Sequence, residues 1–215
     1  MTNRAVFLDR DGTINAMVYN PDFGLVDSPA NPDEFCLLPG VCEAIRMINE
    51  MGLLAVVVSN QPGIAKGKFT PSLLEAMTDK MHRELDKADA RLDAIYYCLH
   101  HPQAVLEEYR VECDCRKPKP GLLKQAKQNL DIDLVNSFLI GDGITDIAAG
   151  RSSGICTFLV GSRKPYIIEE LFRQRIQPDY LVSTLAEAVQ VIQDIESGNG
   201  DRIFPYVFKG FAVFD

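Results

Sequence analysis

The sequence predicts a three-layer α/β fold built on a central parallel sheet. Short, almost continuously apolar runs alternate with segments of helical periodicity. The runs are rich in β-branched residues and lack the in–out alternation of a half-exposed strand, so they belong to a sheet covered on both faces. Several stop at acidic, Ser-Asn or Gly-Asp sequences, the polar endings that a parallel sheet carries at its carboxyl edge, where ligands bind.

Ala5–Leu8 is the first such run and ends in Asp9. Pro39-Gly40 opens a helix marked by Val41, Ala44, Ile45, Ile48 and Met51, which Gly52 stops. A second strand, Leu53–Val58, leads into Ser59-Asn60-Gln61-Pro62-Gly63. Thr70 followed by Pro71 reads as an N-cap with proline at the first helical position, starting a helix to about Ala88. Ala94–Cys98 is the third strand, Pro120–Leu130 a helix, and Ser137–Ile140 the fourth strand, ending at Gly141-Asp142. The alternation continues with a helix at 144–153, a strand at 156–160, a helix at 165–175, a strand at 180–182 and a helix at 185–195. One domain is expected over 1–197, interrupted by a Cys/His-rich excursion at 98–115. A tail at 198–215, with Phe204, Tyr206, Phe208, Phe211 and Phe214, breaks the pattern and reads as a locally packed segment.

Composition narrows the function classes. A chain of 215 residues, 47% hydrophobic and 24% charged, has the make-up of a folded globular protein. With 30 acidic against 22 basic side chains the net charge is −8, which gives nucleic acid and anionic membranes no general attraction. The longest apolar runs are too short to span a bilayer, and the N-terminal residues show no secretory signal pattern, so a cytoplasmic protein is expected. In that setting six cysteines fit metal ligands and core thiols rather than a disulfide framework.

Acidic residues gathered at one sheet edge repel one another unless a cation neutralises them. Asp9 and Asp11 follow the first strand, and Asp142 and Asp146 follow the fourth. An all-oxygen set of this kind suits Mg²⁺. At a strand end the chain is turning, so Asp9 and Asp11 can approach one pocket from different directions. One can attack phosphorus while the other protonates the leaving oxygen, since an aspartate carboxylate is a competent nucleophile toward phosphoryl groups. Farther along, Cys98-Leu99-His100 and Cys113-Asp114-Cys115 offer three thiolates and an imidazole, a closed tetrahedral set for structural Zn²⁺. His101 competes with His100 for the fourth position. The loop runs straight into Arg116-Lys117-Pro118-Lys119-Pro120-Gly121 and places two cations beside the phosphate pocket.

Asp9-Arg10-Asp11-Gly12-Thr13, Ser59-Asn60, Lys117 and Gly141-Asp142-x-x-x-Asp146, in that order, resemble the four motifs of the haloacid dehalogenase superfamily. The resemblance runs from about residue 5 to residue 150 and implies a Rossmann-like sandwich and a phosphatase working through an aspartyl-phosphate. It assigns Asp9 as nucleophile, Asp11 as general acid/base, and Ser59 and Lys117 as phosphate-binding groups. It also implies Mg²⁺ held by Asp9, the Asp11 backbone carbonyl and Asp142, with Asp146 standing just behind them. The zinc loop and the Ser59-Asn60-Gln61-Pro62-Gly63 stretch are similar to a group that takes in heptose-bisphosphate and histidinol-phosphate phosphatases. That likeness puts Asn60 and Gln61 near the phosphate and Arg116 on the sugar. The segment 17–34, where the superfamily's substrate-gating flap lies, is longer than the group's pattern, and no insert is long enough for a separate cap domain. The expected partner is a small phosphorylated metabolite, with neither nucleic acid nor membrane involved.

Overall fold

The computed structural model describes residues 2–21, 24–161 and 165–198; the aromatic residues expected to pack as a tail lie outside them. Six strands, β1 (Ala5–Leu8), β4 (Leu54–Asn60), β5 (Ala94–Cys98), β6 (Phe138–Gly141), β7 (Cys156–Val160) and β8 (Tyr180–Val182), form one parallel sheet in the order β5-β4-β1-β6-β7-β8. The chain starts in the middle, builds outward to β5, then returns past β1 to lay down β6, β7 and β8 on the other side. That reversal beside β1 is a topological switch point, and a crevice opens there at the carboxyl ends of the strands.

Side chains two apart on a strand share a face, and the apolar runs divide accordingly. Val6 and Leu8 of β1, with Ala55 and Val57 of β4, join the core under the helices α1 (Val41–Glu50), α2 (Pro71–Asp86) and α6 (Leu185–Glu196). Ala5 and Phe7, with Val56 and Val58, face the opposite layer with α3 (Gly121–Leu130) and α4 (Ile144–Ser152). Helix α5 (Pro165–Gln174) packs beyond α4 through Ile167 and Leu171. Every residue of β1 is fully buried, and burying a side chain such as Phe7 or Leu8 stabilises the fold by about 1.5–3 kcal/mol. The predicted three layers are therefore the observed ones.

Local signals set the helix starts. Thr70 accepts a hydrogen bond at its hydroxyl from the Leu73 N–H (3.3 Å), with Pro71 behind it at the first helical position. Thr184 caps α6 in the same way through Glu187 (3.1 Å). Sequence reading had the second strand ending at Val58; the ladder with β5 carries it on through Ser59 and Asn60. The flap segment holds an antiparallel hairpin, β2 (Val18–Asn20) and β3 (Leu25–Asp27), tied to the body by an ion pair between Lys68 and Asp27. Among the described residues, this hairpin and the 99–120 loop are the excursions that flank the crevice.

Candidate active site

Asp9 leaves β1 with its N–H bonded to the Ile140 carbonyl of β6 (2.9 Å), so the sheet itself aims it. A tight turn follows, closed by Gly12 N–H to the Asn15 carbonyl (2.8 Å) and Ile14 N–H to the Arg10 carbonyl (2.8 Å). Gly12 has φ +85°, and a Cβ there would lie 2.3 Å from Asp142 Oδ2. Only glycine permits both the turn and the approach of Asp142. On the far side, a Cβ at Gly141 would lie 2.4 Å from Asp146 Cγ, so glycine again makes room for a carboxylate. Asp146 accepts from the Gly143 N–H (3.1 Å) and so lies over the start of α4.

Lys117 reaches this cluster from the loop before α3. Its ammonium is buried and donates to Asp9 Oδ1 (2.8 Å) and the Val58 carbonyl (2.7 Å), and it is paired with Asp146. Burial works against the ammonium, but Asp146 and Asp9 outweigh it and its pKa is raised. Burial pushes Asp146 up to about 6, against the pull of Lys117 and with the help of Asp9. Asn60 fixes the backbone behind the ammonium with a reciprocal pair: its Nδ2 donates to the Lys117 carbonyl (3.0 Å) and its Oδ1 accepts from the Lys117 N–H (3.0 Å).

Asp11 is held differently. Its carboxylate accepts from Arg10 Nη2 (2.9 Å to Oδ1, 3.1 Å to Oδ2), Arg10 Nε (3.1 Å), Asn15 Nδ2 (3.0 Å) and Gln61 Nε2 (2.6 Å). Gln61 also donates to Ser59 Oγ (3.2 Å), which leaves the Ser59 hydroxyl hydrogen free for another acceptor. Arg10 and Asn15, both fully buried, were absent from the sequence-derived set. The one available signal for Arg10 was its position, a charge set directly after a wholly apolar strand and between two aspartates.

Carboxylate oxygens of Asp9, Asp142 and Asp146 lie within 4.8 Å of one another. Three carboxylates and the one lysine ammonium leave two negative charges, the complement of a divalent cation, and the donors are the hard oxygens Mg²⁺ prefers. The residues present therefore fit that ion.

The second cluster joins Cys98, His100, Cys113 and Cys115, again within 4.8 Å. Sulfur–sulfur separations are 3.1, 3.2 and 3.6 Å, and His100 Nδ1 lies 3.4 Å from Cys115 Sγ. Four ligands around a zinc with Zn–S of about 2.3 Å stand roughly 3.5–3.8 Å apart. The Cys98–Cys113 pair matches and the two pairs to Cys115 are closer, so it is the donor set and its convergence that fit the ion. Burial opposes ionisation of Cys113, yet bonds from Cys115 and Cys98 prevail and lower it to about 7. His101 is engaged elsewhere: its N–H donates to the Tyr109 carbonyl (3.0 Å) and its Nδ1 accepts from Gln103 N–H (3.1 Å). Arg116 leans on the loop, donating to the His100 carbonyl (3.4 Å). Gly121 closes the loop onto α3 through its N–H and the Asp114 carbonyl (2.9 Å), where a Cβ would have no room.

A parallel sheet whose switch point gathers acids around a buried lysine is suited to handling phosphoryl groups, and the comparisons give the class. A family model described as HAD-hydrolase-like matches residues 114–188. The D-glycero-beta-D-manno-heptose-1,7-bisphosphate 7-phosphatase of Escherichia coli (strain K12) is 42% identical over 190 residues, 88% of this chain and 93% of that protein. The protein of the same name from Pasteurella multocida (strain Pm70) is 40% identical over 195 residues, covering 90% and 99%. Among solved structures, D,D-heptose 1,7-bisphosphate phosphatase from B. bronchiseptica, complexed with magnesium and phosphate, matches with TM-score 0.72 at 31% identity, covering 89% of this chain and 99% of that one. The chain belongs to the HAD-like hydrolases and, within them, to the phosphatase family of these relatives. No helix among the described residues is long and apolar enough to cross a membrane.

Proposed function

We propose that this phosphatase removes the 7-phosphate of D-glycero-β-D-manno-heptose 1,7-bisphosphate, with Asp9 as nucleophile. The observation that carries the chemistry is the Lys117 ammonium on Asp9 Oδ1, buried between Asp9 and Asp146 at the switch point of the sheet. An ammonium there aligns one carboxylate oxygen and leaves the other to attack. The named substrate of the relatives supports the choice of sugar.

The free Asp9 oxygen forms a bond to phosphorus as the bond from phosphorus to the sugar oxygen breaks. Asp11, protonated, gives its proton to that leaving oxygen. Water then attacks the aspartyl-phosphate, Asp11 takes the water's proton, and inorganic phosphate and free Asp9 result. Lys117 and the Ser59 hydroxyl stabilise the transferring oxygens, and Asn60 keeps Lys117 in place. Mg²⁺, held by Asp9, Asp142 and the Asp11 backbone carbonyl with Asp146 behind, would neutralise phosphoryl charge when bound. Zn²⁺ on Cys98, His100, Cys113 and Cys115 would fix the loop that delivers Arg116 and Lys117, with Arg116 directed at the sugar.

Steady-state kinetics with Mg²⁺ test both parts. Asp9→Asn is expected to lose at least ~10⁴-fold in kcat, as loss of a nucleophile does, while the fold persists. Real turnover by a clean Asp9→Asn preparation would end the nucleophile assignment. A higher kcat/KM for histidinol phosphate than for the heptose bisphosphate would end the sugar assignment and leave the chemistry standing.

A further inference from the structure

We infer that Arg10 is the positioning residue of Asp11, a buried guanidinium whose function is to orient the acid/base carboxylate. The inference rests on the reading of Asp11 given above. Among the described residues Arg10 is the largest fully buried side chain, with no exposed surface. Two aromatic rings lie beside it: the guanidinium carbon is 5.9 Å from the Phe35 ring centroid and 5.7 Å from that of Tyr97. Burial works against its charge, while Asp11 and, after it, the Tyr97 hydroxyl favour the charged form. Two of its nitrogens, Nε and Nη2, converge on the single carboxylate of Asp11, while Nη1 is buried with no hydrogen-bond partner.

A guanidinium in such surroundings is a poor device for stability alone. A well-packed apolar side chain of similar volume does as well or better, and an unmatched N–H adds to the cost. What an arginine supplies and an apolar residue does not is a planar fork that fixes a carboxylate in angle as well as distance. The fork is itself immobilised. Phe35 and Tyr97 bracket it, and Tyr97 is anchored by its hydroxyl to Thr78 (3.0 Å). Thr78 donates its own hydrogen to the Leu74 carbonyl (2.8 Å), so Tyr97 is the donor in that pair and its oxygen keeps a lone pair. The turn from Arg10 to Asn15 adds the Asn15 amide on the same Asp11 oxygen. Asp11 is thus held by residues one and four positions away in a rigid turn, and by Gln61, just past the end of β4.

If Arg10 acts through Asp11, its removal will be felt in formation of the aspartyl-phosphate where the leaving oxygen needs a proton, and little where it does not. The later water step needs Asp11 as base whichever substrate gave the phosphate. The experiment therefore measures the single-turnover rate of leaving-group release by the Mg²⁺-loaded enzyme, Arg10→Lys, Arg10→Met and Asp11→Asn. One substrate is an alkyl sugar phosphate; the other is p-nitrophenyl phosphate, whose leaving group departs without protonation. For Arg10→Met we expect this rate on the sugar phosphate to fall about 10²-fold, within the range a misplaced general acid gives, with a loss below about fivefold on the aryl phosphate. Arg10→Lys, which keeps the charge and loses the fork, is expected between wild type and Arg10→Met on the sugar phosphate. It also serves as the sole test should Arg10→Met fail to fold by circular dichroism. Placing Arg10→Lys in the Asp11→Asn background is expected to cost nothing further. Equal losses on both substrates, wild-type rates on both, or additive losses in the double variant each overturn the assignment. If Asp11→Asn itself slows leaving-group release from both substrates equally, the acid assignment to Asp11 is what falls, and that result is separate from any behaviour of Arg10.

Discussion

Two buried cations serve this site, and they reach it by opposite routes. Arg10 comes from just past β1, where the sheet, a closed turn and two aromatic rings fix it. Lys117 comes from a loop with little core of its own, placed by Asn60, by its pairing with Asp9 and Asp146, and by the four potential zinc ligands upstream. One cation is set by packing, the other by polar bonds and metal chemistry. The two should therefore respond differently to the same insults.

The largest response is expected at Lys117 itself. Lys117→Met leaves Asp9 and Asp146 buried without their ammonium, and breaking a buried pair this way destabilises by about 3–5 kcal/mol. Urea denaturation in chelator should show that loss, and saturating Mg²⁺ should recover part of it while kcat stays low. A variant as stable as wild type in chelator would contradict the pairing. Next comes the zinc loop. Cys113→Ala is expected to cost about 3 kcal/mol or more, the scale of losing a structural metal, and roughly 10 °C in Tm. Metal analysis of the purified protein should find one zinc in wild type and none in the variant; a zinc-free wild type would remove the basis for this contrast. The smallest response belongs to the packed cation. Tyr97→Phe removes a hydroxyl bonded to Thr78 but keeps the ring against Arg10, so stability should change by about 1 kcal/mol or less. A Tyr97→Phe loss as large as that of Cys113→Ala would mean the arginine depends on a polar scaffold after all.

The same division explains what could be read without coordinates. The central strands were legible because runs such as Ala5–Leu8 and Val56–Val58 are buried on both faces, which leaves an unbroken apolar signature, and the six helices through their apolar periodicity and caps. The β2–β3 hairpin was not. Its strands are three residues long, and Tyr19, Leu25 and Val26 are exposed, so neither length nor alternation marks them. The acids, lysine and Cys/His pairs stood out because their spacing is chemical, and the fold brings Asp9, Asp142, Asp146 and Lys117 into one cluster. Arg10 was hidden by a sound expectation: arginine is seldom fully buried, so an arginine at a strand end reads as solvated. Asp11 shows the limit of spacing arguments. Two residues on from Asp9, its carboxylate stands outside the Asp9, Asp142 and Asp146 cluster and is held by Arg10 and Asn15 of the same turn and by Gln61, just past β4.

Strand order carries a consequence for how the protein is made. β1 is synthesised first yet sits between β4 and β6, and the bond from Lys117 to Asp9 spans 108 positions of sequence. A nascent chain that has emerged only as far as β5 holds Asp9 at an unpaired sheet edge, without its lysine or the two later carboxylates. Contacts this distant in sequence form late, after the entropy of closing the intervening chain has been overcome. Catalytic competence thus waits for Asp146, and no N-terminal fragment shorter than about two-thirds of the chain contains all the parts.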